Sequence, residues 1–284
     1  MNGNELIALL SNSLPVIDSC VGTITGALIA AFFLRRNTEV QEFEKLKAGK
    51  FSEVVNDLLD SGKMTYTEFY KASNFLKIAE LADEQLRDNK NSNNDKKTNL
   101  YEFDWFARFY EVAGNISDEM MQIYWSKLLA GELQNPSTFS LQTIDILKNL
   151  RKNDVDLFAK VCLHSILHRH TTFLPNYRDF LDDNGINYQD ILLLDEYGLL
   201  NSNSTLIYRE NVNPDSESWF YGTDTVLTFK NNTSKVGEIK INVFPFTNAG
   251  HQLSLINNCF ANKNDLIAIS KKLKNQKFAI KIYP

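Results

Sequence analysis

Apolar positions along the chain follow three successive rhythms, and each predicts a different kind of structure. Leu14 to Leu34, LPVIDSCVGTITGALIAAFFL, is nearly continuous. Its roughly 21 residues would measure about 31 Å as a helix, close to the hydrocarbon thickness of a bilayer. Beyond it the period is helical. Thr38 to Lys50 is charged and helix-compatible, and Phe51, Val54, Val55, Leu58 and Leu59 recur at helical spacing. Ser61 and Gly62 interrupt the pattern, which resumes over Tyr66 to Leu86 with Phe69, Phe75, Leu76, Ile78 and Leu81. Asn89 to Asn99, NKNSNNDKKTN, holds no apolar residue and reads as a flexible loop between subdomains.

From Tyr101 the helical signal strengthens. Trp105, Phe106, Phe109, Val112 and Ile116 mark one helix. A second, with Ser117 as N-cap and Asp118 and Glu119 in its first turn, carries Met121, Tyr124, Trp125, Leu128 and Leu129 and is closed by Gly131 and Pro136. Ser140 caps a third, and Asn153 a fourth that runs from Asp154 to His168.

Near Thr172 the rhythm changes. Tyr177 to Leu181 and Tyr188 to Tyr197 read as short helices, and Ile191 to Asn203 as the end of a winged-helix recognition unit. Leu206 to Arg209, Thr225 to Phe229 and Glu238 to Phe246 alternate as strands. A helix around Leu253, another from Asp265 and an extended Phe278 to Tyr283 complete the chain. The expected fold is mainly α with an α+β C-terminal part. It has a membrane segment over 1–36 with the span at about 14–34, a helical stalk and linker over 37–100, a helical domain over 101–171 and a winged-helix-like module over 172–284.

Composition alters this picture little. The chain has 284 residues, is 43% hydrophobic and 23% charged, and has a formal net charge of −5, with a mean hydropathy of −0.28. These values exclude collagen-like, disordered and multi-span membrane classes. Cys20, Cys162 and Cys259 are odd in number and far apart, so they form neither a metal spacing nor an obvious disulfide framework.

Charge does orient the first segment. No Lys or Arg precedes it, against the polarity of a secretory signal. Arg35, Arg36, Lys45, Lys47 and Lys50 follow it, which predicts a single-pass protein of the bacterial inner membrane with its N-terminus outside and its bulk in the cytoplasm. A buried helix and a helix lying on the membrane surface stay open as alternatives. Gly22, Gly26 and Ala30 recur every four residues and offer a face on which helices pack closely. Asp18 is costly in a lone span, so self-association is expected, with Asp18, Gly22 and Thr25 lining a cation-favouring pore. An interfacial Asp18 is the alternative.

Familiar enzyme signatures are absent, so neither catalysis nor a cofactor is expected. His164 and His168, at helical i, i+4 spacing, have the arrangement of two metal ligands but lack a third at a recognised spacing. Pro214-Asp215 with Glu238-Ile239-Lys240 outlines a metal-dependent nuclease, in which two carboxylates hold a metal and the lysine helps activate water. Lys271, Lys272, Lys274 and Lys277, with Lys263 and Lys281, form a basic run interleaved with Phe278 and Tyr283. Such a run suits a phosphate backbone and stacked bases; a solvated lysine face is the other reading.

Tyr101 to Leu150 resembles a bacterial domain family of unknown function. Trp105, Ile116-Ser117-Asp118-Glu119, Trp125, Leu129-Ala130-Gly131-Glu132, Asn135-Pro136, Phe139-Ser140 and Thr143 carry the match. With the membrane segment and the C-terminal module, the architecture also resembles the membrane effectors of Hailong anti-phage defence systems. That resemblance implies a homo-oligomeric channel, a tetramer, held shut by short single-stranded DNA from a partner nucleotidyltransferase and opened on infection. It carries over no ligand residue.

Overall fold

The structure, a computed structural model, describes residues 65–88, 103–273 and 278–284, together with Asp60 and Gly62. The Leu14–Leu34 segment and the Asn89–Asn99 loop lie outside these residues. Among the described helices none is long and apolar enough to cross a membrane.

The described residues fall into two compact units. The first contains α1 (Tyr66–Asp88), most of α2 (Phe103–Ala113) and most of α3 (Glu119–Gln134). The helical periodicity read from the sequence is the periodicity of burial: Phe75, Ile78, Phe109, Val112, Trp125, Leu128 and Leu129 are all buried. The Phe75 ring meets Tyr110 at 4.9 Å and Phe109 at 6.4 Å, both edge-on, the arrangement that ring quadrupoles favour. Asn74 Nδ2 donates to the Gly114 carbonyl at 3.0 Å, closing the end of α2 against α1.

Helix α3 corrects two expectations. Its N-terminal donor is satisfied by Asp118, whose Oδ1 accepts from Met121 N at 2.9 Å, so Asp118 and not Ser117 caps it. It also runs through Gly131 to Gln134. Gly131 is there for packing: a Cβ at that position would sit 2.8 Å from Cε2 of Phe139.

The second unit holds the remaining elements. Helix α4 (Leu141–Asn149) starts at Ser140, which caps it by accepting from Thr143 N. Helix α5 (Lys152–Cys162) follows, with Arg151 rather than Asn153 as its N-cap; Asp154 Oδ2 accepts from Arg151 N at 2.8 Å. Seven strands then form one antiparallel sheet: β1 (Ile166–His168), β2 (Thr171–Pro175), β3 (Ile207–Val212), β4 (Glu217–Tyr221), β5 (Val226–Lys230), β6 (Gly237–Pro245) and β7 (Ala279–Tyr283). Their order is β3-β6-β2-β1-β4-β5-β7. Helices α6 (Arg178–Asp183) and α7 (Tyr188–Glu196) lie between β2 and β3, while α8 (Asn248–Asn257) and α9 (Lys263–Leu273) precede β7.

The α+β character of the C-terminal part is as expected, but the sheet is larger than the sequence suggested. Strands β1, β2 and β4 were not anticipated. The sheet also curls. Strands β3 and β4 are four places apart in the order yet joined only by residues 213–216, and Tyr208 on β3 meets Phe220 on β4 at 6.2 Å and His168 on β1 at 5.6 Å. Phe173, Tyr208, Phe220 and His168 thus share one interior. The helix expected over Asp154–His168 ends at Cys162. His164 N and Ser165 N bond back to Val161 O and Cys162 O, Ser165 Oγ bonds to Val161 O, and the chain turns into β1.

Candidate nucleic-acid interface

Antiparallel registry decides what the far half of the sheet shows to water. Trp219 lies opposite Thr228, which lies opposite Lys281; Tyr221 lies opposite Val226, and Val226 opposite Tyr283; Glu217 lies opposite Lys230. Directly opposed residues share a face. Ser218, Phe220, Leu227 and Phe229 turn into the protein and are buried. The other face therefore presents Trp219, Tyr221 and Tyr283, which are 47%, 41% and 43% exposed, flanked by exposed Lys281 and by Lys230, whose ammonium lies 3.9 Å from the Glu217 carboxylate on the same face. Trp219 and Tyr221 are separated by about 7 Å along one strand, and Tyr283 stands about 10 Å away across two strand spacings. This is a short aromatic platform with cations at its margin, the combination that stacks bases and holds a phosphate backbone.

A buried polar cluster fixes β4 from beneath. His168 Nδ1 lies 2.7 Å from the Trp219 carbonyl, which can only accept, so Nδ1 carries a proton. His168 Nε2 lies 3.0 Å from Glu210 Oε2, and the imidazole stacks on Phe220 at 4.2 Å. Glu210 accepts hydrogen bonds from Ser218 Oγ at 2.6 Å and from Arg169 at 2.5 Å. Burial, followed by the charge of Glu210, pushes the Tyr208 phenol above its ordinary range. The cluster ties β1, β3 and β4 together just under the exposed Trp219.

The described lysines of the basic run are divided between two elements. Lys271 and Lys272 occupy the last turn of α9, where their charge complements the helix dipole. Lys272 is ion-paired with Asp179 of α6, which holds that carboxyl below its usual range. Lys281 points from β7 onto the platform instead. Lys274 and Lys277 lie outside the described residues, as do Asp18, Gly22, Thr25, Gly26 and Ala30.

The histidine pair is undone by the end of α5. His164 is beyond the helix with Nδ1 at 3.1 Å from Asp265 Oδ2, and His168 is in β1 against Glu210. Among the described residues no group of three or more His, Cys, Asp or Glu side chains is placed to hold a metal. Glu238 and Lys240 do share a face of β6, but the Glu238 carboxylate is engaged by Lys240 at 2.8 Å and by Arg209 at 3.2 Å, and the Lys240 bond holds it below its ordinary range. Asp215 sits in the β3–β4 turn at φ 57°.

The residues around Leu129–Thr143 are architectural. The Glu132 carboxylate accepts from Ser137 N and Phe139 N at 2.6 and 2.9 Å, fixing the loop that brings Phe139 onto Gly131. Gln252 Oε1 of α8 accepts from Ser140 N at 2.9 Å and from the Thr143 hydroxyl. Helix α7, by contrast, is acidic: with α6 it carries six carboxylates and one arginine, and its exposed Tyr188 and Leu192 sit among them.

Residues 62–265 match a family model described as a protein of unknown function, DUF2806, and the chain belongs to that family. No curated protein and no solved structure shows significant similarity to it.

Proposed function

We propose that this member of the family is the oligomeric membrane effector of an anti-phage abortive-infection system, an ion channel gated by short single-stranded DNA. One span, associated as a homotetramer through Gly22, Gly26 and Ala30, would line a pore with Asp18, Gly22 and Thr25. The cytoplasmic sheet unit would bind the oligonucleotide made by a partner nucleotidyltransferase. Loss of that ligand would shift the population towards the open state and depolarise the cell.

The observation that carries this reading is the open face with Trp219, Tyr221, Tyr283 and their flanking lysines. A second feature agrees with it. With β1 set aside as an addition and β4 and β5 taken as an enlarged wing, the succession α5, β2, α6, α7, β3, β6 and the sheet order β3-β6-β2 support a winged-helix reading. Its second helix in the pair, α7, is too acidic for a duplex groove, where phosphates repel carboxylates. Among the described residues this favours the sheet over α7 as a surface for nucleic acid, and single strands are the form whose bases are free to stack.

The test is conductance of the purified full chain in liposomes with and without short oligodeoxynucleotides. Oligonucleotide-dependent closure is expected, with Asp18→Asn altering cation preference and Gly26→Leu lowering conductance. A membrane-anchored nucleic-acid-binding adaptor is the competing reading. It would bind the oligonucleotide, conduct nothing, and keep its function when Leu14–Leu34 is replaced by an unrelated span.

A further inference from the structure

Registry gives the outer face of β4, β5 and β7 definite limits. Three rows cross these strands: Glu217, Lys230 and Ala279; Trp219, Thr228 and Lys281; Tyr221, Val226 and Tyr283. The grid measures about 14 Å along the strands and about 10 Å across them. Thr228 at its centre is buried, so what it offers a ligand is the rings and the lysines around that centre.

The third row continues through Leu167 of β1, opposite Tyr221, to Thr172 of β2, opposite Leu167. There α8 covers the same face: Thr172 is buried, and its hydroxyl lies 2.9 Å from His251 Nδ1 and 3.1 Å from Ser254 Oγ. On the opposite side β7 is the last strand of the sheet. Both ends along the strands carry a carboxylate. Glu217 stands in the first row, 3.9 Å from the Lys230 ammonium, and exposed Asp224 occupies the turn between β4 and β5, closed by the Gly222 amide on the Thr225 carbonyl at 2.8 Å. These carboxylates oppose a phosphodiester chain running past either end. Lys230 is already answered by Glu217, whereas Lys281, in the middle row, has no ion-pair partner among the described residues. The frame thus holds three rings and one unanswered cation.

We infer that this face is a site for a stretch of three nucleotides of single-stranded nucleic acid, one base on each of Trp219, Tyr221 and Tyr283, with Lys281 on one phosphate. This rests on the platform reading and gives it the length of its ligand. Stacking supplies most of the affinity and a single ammonium the rest, so binding grows with each base until the rings are filled and depends weakly on salt.

Oligothymidylates of one to eight nucleotides, titrated against the full chain in detergent by calorimetry, test the length. Affinity is expected to rise at least about fivefold with each nucleotide up to the third, and by no more than about twofold with each one after it. For the trinucleotide, log affinity against log salt should have a slope of about −0.7, the value for one phosphate neutralised on a single strand. Lys281→Gln should bring that slope near zero and Lys281→Arg should keep it, while Trp219→Ala should weaken binding with the slope unchanged. Affinity that climbs more than about twofold per nucleotide beyond the third, or a slope of about −1.4 or steeper, would overturn the three-nucleotide site, and the loss in Trp219→Ala would still leave the platform standing. No binding of any strand, or binding indifferent to Trp219→Ala, would remove the platform and the site with it. If Trp219→Ala then lowered the mass of the detergent-extracted oligomer, the occupant of this face would be a second copy of the chain.

Discussion

Strand β4 and helix α7 both expose large apolar side chains, Trp219 and Tyr221 on one, Tyr188 and Leu192 on the other, yet they make opposite surfaces. Around the outer face of β4 the charged neighbours are Lys230 and Lys281, with one carboxylate, Glu217, 3.9 Å from Lys230. Around α7 they are Asp182, Asp183, Asp190, Asp195 and Glu196. Apolar exposure alone would mark both as binding surfaces; the charge around it decides which of them tolerates a phosphate. In a helix–strand succession of this kind the second helix is the habitual reader of duplex DNA, and here its chemistry argues against that use.

The comparison breaks most completely if the platform loses its support. Phe220→Ala removes a buried ring between His168, Tyr208 and Phe229 and should cost about 3–5 kcal/mol in chemical unfolding, taking oligonucleotide binding with it. Moving one residue along the same strand should separate the two properties. Trp219→Ala should weaken single-strand binding by about 1–3 kcal/mol, roughly 5- to 150-fold by fluorescence anisotropy, with a stability change of about 0.5 kcal/mol or less. Equal damage to stability and binding by these two variants would mean that the outer face has no role of its own.

A smaller effect is expected at the border of the platform. His251 titrates below its ordinary value in the folded protein, so the unfolded chain binds the extra proton more readily, and stability should decline as pH falls below about 6.5. His251→Gln should flatten the dependence of Tm on pH between about 5 and 7.5, without altering Tm at the upper end. Smallest of all is the effect expected at α7. Neutralising the exposed Asp183 and Glu196 as Asn and Gln should change single-strand affinity by about twofold or less; a tenfold gain would put the ligand near α7 and reverse the assignment of the two surfaces.

What was legible in the sequence follows from how burial prints itself on residue type. Helices α1 and α2 alternate buried and more exposed positions at helical spacing, so Phe75, Ile78, Phe109 and Val112 stand out, while α3 is buried on most sides and stands out by its apolar content. Strand β4 hides its period. Phe220 points inward while Trp219 and Tyr221 point outward, and aromatic residues on both faces erase the alternation that would have revealed both the strand and the platform. The end of α5 was illegible for a related reason: Val161, Cys162, Ile166 and Leu167 suit a helix face and a strand equally, and only the turn through Leu163–Ser165 separates them. The lysine run shows how sequence proximity and spatial placement differ. Consecutive charges in sequence were divided between α9 and β7, and one was consumed by Asp179.

The pairing of β7 with β5 also sets an order of events during synthesis. Residues 279–283 lie some fifty positions beyond β5 in the chain, after α8 and α9, and they bring both Tyr283 and Lys281. While the nascent chain is still emerging, β5 has an unpaired edge and the platform holds only Trp219 and Tyr221. The outer face that joins Trp219, Tyr221 and Tyr283 is therefore a long-range product of the fold, complete only once β7 has paired with β5.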